Sequence, residues 1–463
     1  MIRESEVPMS PIGMPPTGLP PSAARGHTFR SVAPVLALCW LAVFFDGMDV
    51  SIYGAVMPHM LDDPAFGLTP AVAGTIGSWV TLGMLIGALG TGTLTDWLGR
   101  RPVLVAGVLV FSAGSAACAV AGTPGMFGAG RFLAGLGLGG LMPICLSMVM
   151  EFAPRGRAAL ATGLLMTSYH AGAMCATVLG LTVAPGHGWR WVFWVGALPA
   201  FVAAPLLLRL LPESPGVLLA KGRTAEAAAV AGRYGMAPPV LADAPAQGAR
   251  GRLASVLALF RPGVRLATPL LWLASFCGLL LVYGVSTWLP QMMRASGYGL
   301  SSSVSFLFII NAGGIAGLLI AGRLADRYGP VRISALWFLL TAAGALLLGA
   351  RLPLGATYVV VAVTGVWLFS AQVMVYAATH RVYPPAERAT GLGWVTGIGR
   401  TGAVVGPWLG GVLAASANSQ LGFTVFALAG LLGALAIGSV PLARRLGRSS
   451  ATVPAPEVAG MER

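Results

Sequence analysis

Residues 92–101, GTLTDWLGRR, recur with small changes at residues 322–332 as GRLADRYGPVR. Two glycines and one aspartate of this motif are repeated at a constant displacement of 230 residues. The repeated positions are Gly92 with Gly322, Asp96 with Asp326, and Gly99 with Gly329. Pro154 in EFAPRGR also recurs, as Pro384 in VYPPAER, at that displacement. The chain is therefore predicted to consist of two homologous halves.

The composition around these motifs indicates a membrane protein. Of 463 residues, 56% are hydrophobic and only 10% are charged, and the mean hydropathy is +0.80. Soluble domains carry about 25% charged residues. The 64 glycines suit helices that pack closely in lipid. These values favour a polytopic helical membrane protein.

A transmembrane helix needs about 20 apolar residues, and the sequence contains twelve such segments in two sets of six. They lie at about 32–60, 69–95, 102–122, 126–150, 158–184, 189–211, 265–293, 301–325, 331–350, 354–381, 388–415 and 420–444. The fold class predicted is an all-α membrane protein with twelve transmembrane helices in two pseudo-symmetric halves. Two parallel repeats with a site between them are typical of transporters. The predicted divisions are a disordered cytoplasmic tail at 1–30, a first half at 31–211, a cytoplasmic central loop at 212–264, a second half at 265–445 and a cytoplasmic tail at 446–463.

The net charge of +14 is explained by topology and does not indicate nucleic-acid binding. Three arginines lie in one set of loops (Arg190, Arg294 and Arg351), and two lie within apolar segments (Arg131 and Arg400). The other 24 of the 29 basic residues lie on the opposite side. The positive-inside rule makes that side cytoplasmic. We expect a multi-pass protein of a bacterial inner membrane with both termini in the cytoplasm.

The first apolar segment contains two acidic residues, Asp46 and Asp49, in FFDGMDVSIYGAVMP (residues 44–58). Each buried carboxylate costs about 2.5–3.5 kcal/mol at mid-membrane depth on insertion scales. Their spacing places both on one face of a helix. Like-charge repulsion and desolvation both favour the neutral form, so we expect the pair to hold one proton near neutral pH. The alternative is that both only hydrogen-bond to neighbouring helices.

The repeated loop resembles the signature of the major facilitator superfamily. DGMDVSIYGAVMP resembles the D-G-x-D pattern of the aromatic acid:proton symporter family within it. Further segments that agree are RFLAGLGLGGLMP, HGWRWVFWVGALP, LPESP, TWLP and RATGLGWVTGIGRTGAVVGPWLGG. The resemblance implies a monomeric transporter of small aromatic acids such as benzoate or hydroxybenzoate. It implies protons as the coupling ion and no cofactor besides the proton gradient.

Two intramembrane arginines are candidates for the transport chemistry. The resemblance implies that Arg400, in VTGIGR, binds the substrate carboxylate, since a guanidinium holds a carboxylate by two parallel hydrogen bonds. The alternative is a permanent ion pair with Asp46 or Asp49. Arg131, at the start of RFLAGLGLGG, resembles the superfamily's proton-coupling element in the fourth helix. Its alternative is snorkelling to the outer surface.

Other candidate substrate contacts lie in several apolar segments. His170 occupies the repeat position equivalent to Arg400, and a histidine can carry a proton or donate to a carboxylate. It could equally be a hydrogen-bonded packing residue. Gln372 and Tyr376, one turn apart, could orient a polar ring substituent; the family often has Asn where Tyr376 stands. Phe45 and Trp394 could stack on an aromatic ring.

The repeated loops predict gating elements, because ionic bonds there can close the cytoplasmic side and break when it opens. The candidate gating residues are Gly92, Asp96, Gly99, Arg100, Arg101, Asp326, Glu151 and Arg157. We expect Glu151 to pair with Arg155 or Arg157. Simple loop capping is the alternative for this group.

The leading hypothesis is therefore a proton symporter that imports a small aromatic carboxylate. Proton-driven efflux of drugs or acidic metabolites, and uptake of a non-aromatic acid, are alternatives within transport. An intramembrane enzyme would need a nucleophile with a base, or a metal motif, and the five scattered histidines offer neither. A sensing receptor would need a larger soluble domain than the central loop. The lack of a G-x-x-x-x-G-K-[ST] loop argues against nucleotide-driven transport.

Overall fold

The computed structural model describes residues 27–154, 156–237, 249–384, 387–416 and 420–449. These residues form eighteen α-helices and one short 3₁₀ helix, Leu198–Ala200. The α-helices are α1 Phe29–Leu61, α2 Pro70–Leu98, α3 Arg100–Val120, α4 Pro124–Leu138, α5 Leu141–Phe152, α6 Ala158–Thr182, α7 Ala184–His187, α8 Trp189–Ala197, α9 Ala203–Leu210, α10 Pro215–Ala220, α11 Thr224–Arg233, α12 Ala249–Ala258, α13 Ala267–Ala295, α14 Leu300–Tyr328, α15 Pro330–Leu348, α16 Leu354–Val382, α17 Arg388–Ala414 and α18 Gln420–Ser449. Most of each predicted tail, residues 1–26 and 450–463, lies outside the described residues.

The predicted membrane spans match the observed helices closely. Within the described part of the chain, eleven segments are long and apolar enough to cross a membrane. Two of them combine two helices each, α4 with α5 and α8 with α9. The twelfth span is α17, which has 27 residues but many glycines and therefore a lower hydropathy. The chain is an all-α protein with twelve spanning segments, as the sequence predicted.

The turns between helices use residues suited to them. Thr69 and Thr123 cap α2 and α4, each accepting a hydrogen bond from a backbone N–H three residues later. A proline follows each threonine at the first helical position, where its missing N–H costs nothing. The repeated loop motif turns at Gly99 (φ +107°) and Gly329 (φ +88°), in a region that favours glycine. The two copies thus form the same turn in both halves.

Glycines let the helices of each half approach closely. In the first half, a Cβ atom added to Gly47 of α1 would overlap the backbone of Tyr169 in α6, and one added to Gly172 would overlap the backbone of Phe44. In the second half, Gly402 of α17 has the same relation to the backbone of Phe276 in α13. Small residues at helix crossings are the usual basis of packing in lipid, where no hydrophobic force drives helices together.

The two halves contact each other at the end of the bundle opposite the chain termini. A Cβ atom on Gly74 of α2 would lie 2.7 Å from Cα of Gly411 in α17. Ser78 donates to the carbonyl of Val404 at 2.6 Å, and Arg294 pairs with Asp62 at 2.7 Å. At the other end of α2, Leu89 and Trp97 are 72% and 76% exposed. The structure is therefore closed between the halves at one end, while α2 is uncovered at the other.

The central segment, predicted as a linker with one short helix, contains α10, α11 and α12, with residues 238–248 outside the described ranges. The residue after α11, Tyr234, packs edge-on against Phe152 with ring centroids 5.3 Å apart. Beyond α12, Arg261 pairs with Glu387 at 3.2 Å. The first part of the segment is thus fixed to the first half, and the last part to the second half.

Candidate functional site

The most deeply buried charges of the described chain are Asp49 of α1 and Arg131 of α4, both fully buried. Nη1 of Arg131 lies 2.8 Å from Oδ2 of Asp49, and Nη2 donates to the Asp49 carbonyl at 3.3 Å. The hydroxyl of Ser115 in α3 donates to the other carboxylate oxygen. Three helices therefore meet at one carboxylate, whose charge is compensated by a cation and a hydroxyl donor.

The guanidinium of Arg131 also faces two aromatic rings. Its Cζ atom lies 5.8 Å from the ring centre of Tyr53 and 5.9 Å from that of Phe193. The Tyr53 hydroxyl is itself occupied, donating to the carbonyl of Ala73 at 2.7 Å. The snorkelling alternative for Arg131 is wrong, because the side chain turns into the bundle where a carboxylate and π faces receive it.

Asp46 lies one turn before Asp49 in a different environment. Its side chain is 1% exposed, and Oδ1 has no hydrogen-bond partner among the described residues. Arg400 acts on it electrostatically, as does Asp49. However, within the described ranges no Asp46–Arg400 ion pair closer than 4.0 Å is formed. The two aspartates thus face different arginines, one paired and one at longer range.

Arg400 of α17 is half-buried, and in the part of the chain that the structure describes it has no ion-pair partner. It interacts electrostatically with three half-buried tyrosines, Tyr169, Tyr283 and Tyr376. These tyrosines come from α6 in the first half and from α13 and α16 in the second. The guanidinium therefore acts on tyrosines of both halves and is placed at their junction.

Gln372 and Tyr376 of α16 belong to the same polar group. Nε2 of Gln372 donates to the Ser275 hydroxyl at 3.0 Å, while Oε1 is buried without a partner among the described residues. The Tyr376 hydroxyl lies near Gln372, Ser275 and Thr396. The predicted one-turn spacing thus brings both side chains to Ser275, and Tyr376 is within electrostatic range of Arg400. We call Asp46, Tyr169, Tyr283, Tyr376, Gln372 and Arg400 the central polar cluster.

His170 adjoins this cluster on α6, next to Tyr169. The ring is 4% exposed, and Nδ1 lies 2.9 Å from Oδ1 of Asn311 in α14. Phe369 of α16 packs edge-on against the imidazole, with ring centroids 4.6 Å apart. His170 therefore bridges the two halves, and its hydrogen-bonding partner is an amide of the second half.

The two aromatic candidates differ in position. Phe45, beside Asp46, is half-buried and packs edge-on against Phe44 at 5.4 Å. Trp394 is 40% exposed and stacks on Trp272 with ring centroids 5.5 Å apart and planes 23° apart. Phe45 thus lies beside a member of the cluster, whereas Trp394 is exposed and stacks on the half-buried Trp272.

The gating candidates form a network around the first loop motif. Glu151 pairs with Arg100 and accepts hydrogen bonds from the Ser214 hydroxyl at 2.6 Å and from the Gly216 N–H at 2.7 Å. The predicted pairing of Glu151 with Arg157 is wrong. Arg157 is exposed and lies over the Phe29 ring at 5.7 Å, because the helix break after Phe152 turns the chain away from Glu151. The other predicted partner, residue 155, lies outside the described residues.

Of the remaining residues of the two loop motifs, some are hydrogen-bonded and others are exposed. Glu213 accepts hydrogen bonds from the backbone N–H groups of Arg100 at 3.0 Å and Arg101 at 3.2 Å, so it caps α3. The Arg101 guanidinium donates to the carbonyl of Leu208. Asp96 and Asp326 are exposed in both copies of the loop. In this conformation the ionic contacts hold the first half together, and the aspartates of the motif face outward.

Several residues of the site were missed from sequence. The sequence alone indicates no role for Tyr169, Ser115, Asn311 or Glu213. Each acts through a contact between helices distant in sequence, which spacing along one helix does not show. The only available signal was for Asn311, a polar residue in an otherwise apolar span.

These features define a class of protein, a helical membrane transporter of two halves with a polar cluster at their junction. The profile of the Major Facilitator Superfamily matches residues 39–373 and 312–458. The chain belongs to this superfamily, which confirms the predicted family and fold class and excludes the enzyme alternative.

The relatives by sequence transport aromatic acids. The gentisate transporter of Corynebacterium glutamicum is 34% identical over 418 residues, covering 89% of this chain and 88% of the relative. The benzoate transport protein of Acinetobacter baylyi is 34% identical, with 82% of this chain and 83% of the relative covered. The gallate transporter of Pseudomonas putida is 35% identical, with 91% and 94% covered.

Solved structures agree with the fold. The xylose transporter XylE from E. coli, in a partially occluded inward open conformation, has a TM-score of 0.69 at 16% identity, covering 93% of this chain and 100% of that chain. A bacterial homologue of the human lysosomal transporter Spinster, inward-facing and unoccupied, has a TM-score of 0.66 at 16% identity, covering 91% and 96%. At such identities the likeness concerns the fold alone.

Proposed function

We propose that the protein is a proton-coupled symporter that imports a small aromatic carboxylate of the benzoate or hydroxybenzoate class. The observation that carries this proposal is Arg400, a half-buried arginine at the junction of the halves with no ion-pair partner among the described residues. The relatives that transport gentisate, benzoate and gallate support the substrate class. Their shared chemical element is a ring-bound carboxylate.

Arg400 binds the substrate carboxylate in this proposal. Hydrogen bonds to charged groups contribute about 1.5–3 kcal/mol each, and a guanidinium makes two of them in parallel. Tyr169, Tyr283 and Tyr376 lie within electrostatic range of the guanidinium and offer both hydroxyls and rings to a ligand there. An aromatic acid can therefore place its carboxylate on Arg400 and its ring against these side chains.

Asp46 couples proton binding to substrate binding. When ionised, it competes with the substrate carboxylate for the field of Arg400, with which it interacts without forming a close pair. A proton on Asp46 removes that competitor, so that substrate and proton bind together. Asp49 and Arg131 supply a second proton-coupling element, because neutralising Asp49 would release α4 from α1.

The distribution of basic residues supports cytoplasmic termini and a bacterial inner-membrane location. In that orientation the closed end of the bundle is external, and the site opens to the cytoplasm. The protein works as a monomer in this proposal, with the proton gradient as its energy source and no cofactor. Alternation between the halves then moves the loaded site across the membrane.

The experiment is uptake of labelled benzoate and 4-hydroxybenzoate into proteoliposomes with an imposed inward proton gradient. We expect gradient-dependent accumulation that Arg400→Ala abolishes. Arg209→Ala, which removes an exposed arginine at the end of α9, serves as the matched control and should transport normally. Export under the same gradient, or transport of only non-aromatic acids, would replace this proposal with acid efflux or aliphatic uptake.

A further inference from the structure

The hydrogen bond between His170 and Asn311 determines which ring nitrogen carries the proton. Nδ2 of Asn311 donates to the carbonyl of Leu307 at 2.8 Å, and a carbonyl can only accept. This contact fixes the amide orientation, so the atom facing His170 is the acceptor Oδ1, 2.9 Å from Nδ1. Nδ1 must therefore be the N–H donor of the imidazole. The proton is thus assigned to Nδ1 by its hydrogen-bond partner alone.

The other nitrogen, Nε2, is then left as an acceptor when the ring is neutral. The ring is 4% exposed, and within the described residues it forms no ion pair with a carboxylate. A buried cation without such a partner is costly, which favours the neutral ring. Nε2 makes no hydrogen bond to another described residue. Nε2 is not among the fully buried atoms without a partner, so it is accessible and can accept a hydrogen bond from a ligand donor.

The acceptor lies at the junction of the halves, where the central polar cluster also lies. Tyr169, the residue before His170, belongs to the central polar cluster. Phe369, which contacts the imidazole, lies on α16 seven residues before Tyr376. Seven residues of helix correspond to about 10 Å along the axis, which is the separation of Phe369 and Tyr376 along α16. Phe369 and Gly314, which also lie against the imidazole, are apolar.

We infer that His170 is a specificity-determining residue, whose Nε2 accepts a hydrogen bond from a phenolic hydroxyl on the substrate ring. This inference rests on the proposed function and deepens it, because it selects hydroxylated aromatic acids over unsubstituted benzoate. It differs from the roles considered from sequence, in which His170 carries a proton, donates to a carboxylate or packs as a hydrogen-bonded residue. Asn311 is a positioning residue, since it acts on the substrate only through the tautomer of His170.

The test compares transport of benzoate with that of 3-hydroxybenzoate and 4-hydroxybenzoate by purified protein in proteoliposomes. His170→Leu removes the acceptor, and we expect KM for the preferred hydroxybenzoate to rise about tenfold, the size of one hydrogen bond. KM for benzoate should change less than about twofold. His170→Gln, whose Oε1 can replace the acceptor, should restore part of the preference. Ser168→Ala, which removes only a bond to the carbonyl of Leu165 in the same helix, is the matched control.

Two further variants keep the inference testable if His170→Leu does not fold. Gly314→Ala would bring a methyl group within 2.9 Å of Cε1 of His170, so it displaces the ring without removing it. Asn311→Leu removes the acceptor that holds the imidazole proton on Nδ1 of His170. Both variants should reduce transport of the hydroxylated acid more than they reduce transport of benzoate.

The outcomes separate this inference from the proposed function. An equal loss for benzoate and hydroxybenzoates in every variant would show a structural role and overturn the inference. Unchanged selectivity in folded variants would also overturn the inference. In that case, benzoate uptake that depends on Arg400 would still support the proposed function. If the unaltered protein transports none of these acids, the proposed function fails, and this inference fails with it.

Discussion

Arg131 and Asp49 form an ion pair that is fully buried between α4 and α1, with 2.8 Å between Nη1 and Oδ2. Removing two charges from water costs several kcal/mol per ion, and only close pairing with further hydrogen bonds offsets that cost. Ser115 and the Asp49 carbonyl supply those further bonds. Asp46, one turn away, has no such partner, so two aspartates that look equivalent in sequence have different roles in the proposed cycle.

Asp49→Asn should destabilise the protein strongly, because it leaves the Arg131 charge buried without a counter-ion. Removing one partner of a buried pair costs about 3–5 kcal/mol. Thermal unfolding in detergent measures this. The double variant Asp49→Asn with Arg131→Gln should recover part of the loss, and Arg209→Ala should behave as the unaltered protein. A double variant as unstable as the sum of both single variants would contradict the pairing.

Asp46→Asn should uncouple transport from the proton gradient without removing the substrate site. The neutral amide mimics the protonated carboxyl, so Arg400 stays available to the substrate. We expect exchange of labelled for unlabelled substrate across the membrane to persist, while accumulation driven by the gradient is lost. Retained accumulation would show that Asp46 is not the coupling proton site. Loss of both activities in a folded variant would make Asp46 a binding residue.

Gly74→Leu should block closure of the halves at the end where they meet. The added side chain would begin 2.7 Å from Cα of Gly411, a backbone atom that no rotamer change can move away. We expect uptake to fall by more than about tenfold. We also expect a cysteine introduced by Ser78→Cys to react faster with a membrane-impermeant maleimide when Gly74→Leu is present. Gly90→Leu on the same helix is the control, since nothing lies within 4 Å of its added Cβ atom. Equal effects of both substitutions would contradict the assigned contact.

The loop after α1 should show an acid-dependent contribution to stability. Nε1 of Trp189 donates to Oδ2 of Asp63 at 3.0 Å, and this bond holds the pKa of Asp63 below its ordinary value of 3.8. The stabilisation is present above that ordinary value and is lost as the pH falls through the lowered one. Trp189→Phe should therefore destabilise the protein more at about pH 6 than at about pH 3. Trp191→Phe, at an exposed site, is the control, and a pH-independent difference would assign the effect to packing alone.

Much of the fold could be predicted because it depends on local properties of the chain. The apolar segments and the 230-residue repeat located the spans to within a few residues, including α17, whose glycines lower its hydropathy. The central segment was harder. Its helices α10 and α11 are short and weakly apolar, and the contact of Tyr234 with Phe152 joins residues far apart in sequence.

The sequence predicted which types of residue form the site, but it did not predict which residues pair with each other. The spacing of Asp46 and Asp49 shows that they share a helix face, yet it does not show that Arg131 faces one and Arg400 the other. That choice depends on how α4 and α17 are rotated against α1. Glu151 illustrates the same limit, since its partner Arg100 is 51 residues away whereas the two expected partners were four and six residues away.

The most direct test of the central claim is the proton movement that accompanies substrate entry. Proteoliposomes with a pH-sensitive dye inside would receive external 4-hydroxybenzoate without an imposed gradient, beside protein-free liposomes and liposomes with Arg400→Ala. We expect the interior to acidify faster with the unaltered protein than in both controls, because substrate and proton enter together through the Arg400 site. Uptake of labelled substrate with no acidification beyond the controls, or an alkaline shift, would contradict the account.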